Sequence, residues 1–214
     1  MGQGLFLCLD GVDGAGKSTQ CRLLADWLRA QGRRVVVCHD PGGTDLGQVL
    51  RQFLLHYRGT MSLTSEALLF MASRAQLVAE VVRPALDDGK VVIADRFLLA
   101  NVVYQGYAGG LDPAHLWNVG MFCTGGLEPD LTFVLDLPLD ASFARRKESA
   151  DRIESRGADY LGKVRAGFFA EAQRRPERFR VIDATPPPEQ VQALLRQEVL
   201  KIADCRFKNT QASG

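Results

Sequence analysis

The stretch LFLCLDGVDGAGKSTQ, residues 5–20, constrains this chain more than any other. A short apolar run ends at Asp10, a glycine-rich turn spans Gly11 to Gly16, and Lys17, Ser18 and Thr19 open an amphipathic segment. The run Gly11-Val12-Asp13-Gly14-Ala15-Gly16-Lys17-Ser18 satisfies G-x-x-x-x-G-K-[ST]. An apparent strand precedes it and an apparent helix follows, which is the context that pattern requires. Glycines let the backbone curl so that successive N–H groups point inward at a helix N-terminus and cradle phosphate oxygens. Lys17 is then expected to reach the β- and γ-phosphates, and the Ser18 hydroxyl to ligate a bridging Mg²⁺. A plain tight turn with a solvent-facing lysine is the competing reading. Strand, loop and helix in this order favour a nucleoside-triphosphate site.

Beyond the loop, apolar runs and helical periodicity alternate. Leu23, Leu24, Trp27 and Leu28 recur at helical spacing, with Gly32 as C-cap. Residues 33–39 (RRVVVCH) predict a buried strand, followed by the breaker Asp40-Pro41-Gly42-Gly43-Thr44. Residues 45–57 predict a helix with Leu46, Val49, Leu50, Phe53 and Leu54 on its inner side. A longer helix is expected over 63–87, which Pro84 should kink or terminate because it lacks an N–H. Residues 91–95 (VVIAD) read as a strand covered on both faces. A helical region follows over about 100–125, broken at Gly109-Gly110 and restarted at Asp112-Pro113. Further strands are expected at 131–137 and 179–183, a last helix from 187 to about Ala203, and a frayed polar tail beyond it. The expected fold class is α/β: one domain with a five-stranded parallel sheet, helices on both faces, and a small lid.

Composition narrows the partners. At 214 residues with a formal charge of +1, the chain shows no global bias toward nucleic acid or membrane. Its five cysteines form no C-x-x-C pair and its three histidines no metal spacing, so both read as structural or solvent-facing. With no signal-like start and no membrane-length apolar run, the protein is expected to be soluble and cytoplasmic.

Residues 141–156 (ASFARRKESADRIESR) break the rhythm, crowding Arg145, Arg146, Lys147, Arg152 and Arg156 together. A solvated charged helix is the plain reading; a polyphosphate site needing cations from outside its loop is the alternative. Other stretches extend the site. Asp95-Arg96 follows a buried strand, so both emerge at the carboxyl edge of the sheet, where ligands bind in open α/β folds. Asp95 is placed to hold Mg²⁺ or its waters, and Arg96 a second phosphate. Phe70 and Arg74 lie four apart on one helix face, where a ring can stack on a base while a guanidinium bonds its exocyclic oxygen. Tyr104-Gln105 adds an amide able to read a base edge.

The order GVDGAGKST, DPGGT, LLFMASRAQ, DRF…VVYQGYAGG, PDLTFVLDLP, DRIES and VIDAT resembles the bacterial thymidylate kinases, over roughly residues 5–200. That resemblance implies a nucleoside monophosphate kinase fold, phosphorylation of dTMP to dTDP by ATP with Mg²⁺, and a homodimer. It implies that Asp13 contacts the sugar 3′-hydroxyl or organises the acceptor phosphate, and that Arg51 and Arg96 bind that phosphate. Phe70 would stack on thymine, with Arg74 and Gln105 on its polar edge and Tyr104 beneath the deoxyribose. Small hydroxyl residues that the family carries after Asp-Arg are here Phe97 to Val102, and Asn101 would replace one of their contacts. The family places a catalytic arginine in the loop or in the lid. With Ala15 in the loop, the lid would supply that charge, Arg152 closing over the transferring group with Arg145, Arg146 or Lys147. A kinase for another nucleoside monophosphate and a nucleotide-binding regulatory protein remain the alternatives.

Overall fold

The computed structural model describes residues 4–145 and 156–211, with side chains through residue 202. Five strands form one all-parallel sheet: β1 (Leu5–Gly11), β2 (Val35–His39), β3 (Val91–Asp95), β4 (Leu131–Asp136) and β5 (Phe179–Asp183), in spatial order β2-β3-β1-β4-β5. β1 is central and buried along its whole length. Its alternate residues serve opposite faces. Leu5, Leu7 and Leu9 join one core with Ile93, Phe133 and residues of α1 (Lys17–Ala30), α8 (Ala158–Arg174) and α9 (Pro188–Gln211). Phe6 and Cys8 join the other with Val92, Ala94, Met71 of α3 (Leu63–Leu77) and Leu116 of α6 (Pro113–Thr124). A strand needed on both faces reads as a continuous apolar run, and β1 does.

Several expectations need correction. β2 starts at Val35 and is an edge strand with Val37 43 % exposed, so it is half-buried rather than buried. On α2 (Asp45–His56) the inner side is Gly47 and Leu54, while Leu46, Val49 and Phe53 face outward at 47, 66 and 43 % exposure. Pro84 does not end its helix. The expected helix over 63–87 is continuous, and a π-helical turn, Val78–Val82, widens the spiral just before Pro84 and lets α4 (Arg83–Asp87) carry on through it. The region near 100–125 divides into α5 (Leu98–Asn101), a second π-helical stretch (Val102–Ala108) and α6, capped by the Asp112 side chain. Helix α8 has no counterpart among the expected elements, and α9 continues as helix past Ala203 to Gln211. Within the lid interval, α7 (Leu139–Arg145) is an ordinary helix, and residues 146–155 lie outside the described residues. Among the described residues no helix is long and apolar enough to cross a membrane.

The register brings the working residues to one edge. Asp95 pairs with Leu9 and with His39 across the ladder, and Leu135 with Gly11. The carboxyl ends of the three neighbouring strands β3, β1 and β4 therefore surround the glycine loop, and strand order reverses about β1 there, where open α/β sheets bind ligands.

Candidate active site

The loop is built by backbone conformations that side chains oppose. At Gly11, φ is 134° and an added Cβ would sit 2.4 Å from the carbonyl oxygen of Leu135. Gly16, at φ 87°, caps α1 in the left-handed region. Val12 and Ala15 turn their side chains into the core, leaving only their main chain for a phosphate. Lys17 folds back across the turn: its Nζ donates to the carbonyls of Gly11 and Val12 at 3.2 and 2.9 Å and lies 3.7 Å from the Asp13 carboxylate. Burial and then the Arg96 charge lower its pKa. Ser18 Oγ donates to Asp95 Oδ2 beside it.

Arg96 is the hinge of the arrangement. Its φ of 69° is left-handed, uncommon for a side chain of this size. A bond from its own N–H to the Leu9 carbonyl at 2.9 Å holds that backbone in the sheet. The guanidinium reaches Asp10 Oδ1 at 3.2 Å, the Gly11 carbonyl at 3.0 Å and Asp13 Oδ1 at 2.5 Å. It also lies over the Tyr104 ring, 5.1 Å from its centroid, and donates to the Tyr104 hydroxyl at 3.3 Å. Burial works against its charge, but Tyr104 and the nearby carboxylates outweigh that and raise its pKa. Asp10 has no exposure, and burial pushes its carboxyl up to about 6 despite Arg96 and Lys17.

A cavity of about 160 Å³ opens beside Arg96, and all eight residues assigned above to the acceptor nucleotide line it: Asp13, Arg51, Phe70, Arg74, Arg96, Asn101, Tyr104 and Gln105. A chain of polar side chains is fixed in its wall. Arg74, buried, donates from Nε to Asp40 Oδ2 at 2.6 Å and from NH1 to Asn101 Oδ1 at 3.1 Å. Asn101 Nδ2 donates to Gln105 Oε1 at 2.7 Å, and Gln105 Nε2 to Glu66 Oε1 at 2.8 Å. Arginine only donates and carboxylate only accepts, so the two ends dictate which way both amides face. Asn101 thus turns its oxygen toward Arg74. Phe70 is half-buried rather than core.

A second cavity of about 960 Å³ runs along Gly14, Gly16, Lys17, Ser18, Thr19, Asp95 and Arg145. The two share Asp13, Asp40, Arg51 and Arg96. Helix α7 packs on the loop, with Ser142 Oγ donating to the Asp13 carbonyl at 2.6 Å. At its end, the Arg145 guanidinium donates to the carbonyls of Ala184 and Thr185 at 3.1 and 3.3 Å. Arg152 lies outside the described residues. Among the described residues no cluster of three or more His, Cys, Asp or Glu could hold a metal alone. Asp10, Asp40, Glu66 and Ser142 were not singled out from the sequence as site residues. Asp10 stands one residue before the glycine turn, Asp40 opens the DPGGT stretch and Ser142 lies in the basic interval 141–156, whereas nothing in the sequence marks Glu66.

Two adjoining cavities at the carboxyl edge of a five-stranded parallel sheet, one lined by a phosphate-binding loop, define a nucleotide kinase of the nucleoside monophosphate kinase type. A family model described as thymidylate kinase matches residues 9–195. The thymidylate kinase of Rhodopirellula baltica is 49% identical over 188 residues, 88% of this chain and 77% of that protein. That of Bifidobacterium longum strain DJO10A is 44% identical over 204 residues, 94% of this chain and 99% of that protein. Among solved structures, thymidylate kinase from Ehrlichia chaffeensis superposes with a TM-score of 0.74 at 30% identity, covering 94% of this chain and 98% of that one. The chain belongs to the thymidylate kinase family.

Proposed function

We propose that this enzyme transfers the γ-phosphoryl group of ATP to dTMP, giving ADP and dTDP. The observation that carries this is the meeting of the two cavities at Asp13, Arg51 and Arg96, with Lys17 on the donor side. A phosphate oxygen of dTMP forms the new bond to the γ-phosphorus as the bond to the β,γ-bridging oxygen breaks. The acceptor is already an anion, so no general base is needed, and catalysis rests on bringing anions together and neutralising them.

Each residue then has one task. Loop N–H groups and Lys17 hold the donor phosphates, while Arg51 and Arg96 hold the acceptor phosphate. Asp13, bonded to Arg96 and near Lys17, occupies the ground between donor and acceptor and orders both cations. In the acceptor cavity Phe70 stacks on the base, Arg74, Asn101 and Gln105 meet its polar edge, and Tyr104 lies under the sugar. Arg152, with Arg145, supplies charge to the transferring group, residues 141–156 serving as the lid of a single domain. A hydroxyl beside a carboxylate at Ser18 and Asp95 suits Mg²⁺, a hard cation that takes a few protein oxygens and completes its shell from phosphate and water. Bound there, the ion would neutralise phosphate charge.

Leu46, Val49 and Phe53 on α2, Leu68 on α3 and Phe122 on α6 (the last 86 % exposed) are apolar and outward-facing on helices packed in series. We assign this face to a second copy of the chain. The expected Phe122→Glu protein sediments as a monomer; an unchanged mass would remove the assignment. Buried free thiols at Cys8, Cys21 and Cys38 support a reducing, cytoplasmic setting.

A coupled ADP-release assay across nucleoside monophosphates tests the function. dTMP should be turned over in preference to dCMP and the purine nucleotides, and equal turnover of all would sink the reading.

A further inference from the structure

Glu66 is buried in the first turn of α3 and lines neither cavity. A fully buried carboxylate is costly unless charged and polar partners compensate it. Its two oxygens have different partners. Oε1 accepts from Gln105 Nε2 at 2.8 Å, and Oε2 accepts from Arg156 NH2. Arg156 NH1 in turn donates to the Tyr160 hydroxyl at 2.8 Å, and that hydroxyl donates to the Tyr104 carbonyl at 2.6 Å. Tyr104 and Gln105 are neighbours in the π-helical stretch Val102–Ala108. One carboxylate thus reaches that stretch twice: at the Gln105 side chain directly, and at the Tyr104 main chain through Arg156 and Tyr160.

We propose that Glu66 is the positioning residue for base recognition, holding the amide pair Asn101–Gln105 and the Tyr104 backbone in the orientation that accepts a pyrimidine imide. The inference rests on the dTMP reading above. An imide edge presents an N–H between two carbonyls, whereas a cytosine edge presents a ring acceptor beside an amine. Asn101 Oδ1 accepts from Arg74 with one lone pair and keeps the other, an acceptor that complements the imide N–H and opposes the ring acceptor of cytosine. That orientation is propagated along Arg74, Asn101 and Gln105 and terminated by a group that can only accept, which is Glu66. An amide in its place faces two donors and can satisfy only one of them, whichever way it is turned.

The test is steady-state kinetics of Glu66→Gln and Arg156→Gln with dTMP and dCMP, alongside thermal melting. Glu66→Gln should raise the KM for dTMP by about 10-fold and narrow the dTMP-over-dCMP preference by a similar factor, with the KM for ATP within about 2-fold of wild type. Arg156→Gln should shift dTMP in the same direction, Arg156→Lys should recover part of the loss, and the double variant should be no worse than Glu66→Gln, since coupled partners are non-additive. A folded Glu66→Gln protein with unchanged KM and base preference overturns the role, as does an equal rise in the KM for ATP. If Glu66→Gln fails to fold, Arg156→Gln decides: an unchanged dTMP KM and base preference there overturn it. A wild type with no preference among bases sinks the functional reading itself, whereas a selective wild type with unaffected variants sinks only the positioning role.

Discussion

The two cavities are walled by different materials. The donor side is built on one short stretch of chain, with Gly14, the left-handed turn at Gly16 and the first turn of α1 from Lys17 to Thr19 lining it beside Asp95, Arg96 and Arg145. The acceptor side is largely side chain, drawn from the loop after β2, from α3, from α5 and from the π-helical stretch that follows it. Backbone cradles depend on local conformation, so they survive the loss of a side chain that merely lines them. A wall of mutually bonded side chains is part of the fold, and losing one member strands the others. Chemistry and folding should therefore separate at the donor side and fail together at the acceptor side.

Arg74→Ala is the strongest test of that contrast. It leaves Asp40, fully buried and already pushed up in pKa by burial, without its 2.6 Å partner. Removing one member of a buried pair should cost about 3–5 kcal/mol of folding stability, read by chemical denaturation. A loss below about 1 kcal/mol would mean that the acceptor wall is not structural. Lys17→Ala should do the opposite. Its ammonium is already disfavoured by burial, so melting should change little while kcat falls by about 10²–10³. Near-normal turnover would remove its role. Phe70→Ala should raise the KM for dTMP about 10-fold with little change in kcat, the size expected for one ring stacked on a base; an unchanged KM would return Phe70 to packing. The smallest effect belongs to Asp10. Its folded pKa of about 6 exceeds the ordinary 3.8, so its contribution is fully present below the lower value and lost as pH rises through the higher one. Against Asp10→Asn, the wild type should lose relative stability between about pH 4 and about pH 6 and then level off, followed by urea denaturation across that range. A flat difference would show that the carboxyl titrates normally.

The same division explains what could be read in advance. The donor loop is coded by spacing within eight residues, so Gly11, Gly16, Lys17 and Ser18 could be assigned before any contact was known. Strand ends carrying Asp95 and Arg96 were legible because β3 is an uninterrupted apolar run. Glu66 was not legible, because an acid in the first turn of a helix is ordinarily a solvated partner for the helix dipole. Only tertiary neighbours reveal that it is buried. On α2 the periodicity reports that a face is apolar, not what covers it, so the outward turn of Leu46, Val49 and Phe53 is beyond its reach. Pro84 predicts a kink or an end, and which of the two it gives is set by a widened turn five residues long that leaves no mark on the pattern. In the helix after Arg156, Leu161, Val164 and Phe168 are spaced for one buried face, but charged residues crowd the positions between them and before them.

The shared wall of the two cavities has a consequence for ligand design. Asp13, Arg51 and Arg96 line both spaces, so a molecule in one and a molecule in the other would touch the same side chains. A single compound carrying a pyrimidine at one end and a polyphosphate at the other would give up its translational freedom once for two sets of contacts, with the second end delivered at the effective concentration its tether allows. The length of that tether, set by the reach across Arg96, is then the variable on which affinity turns.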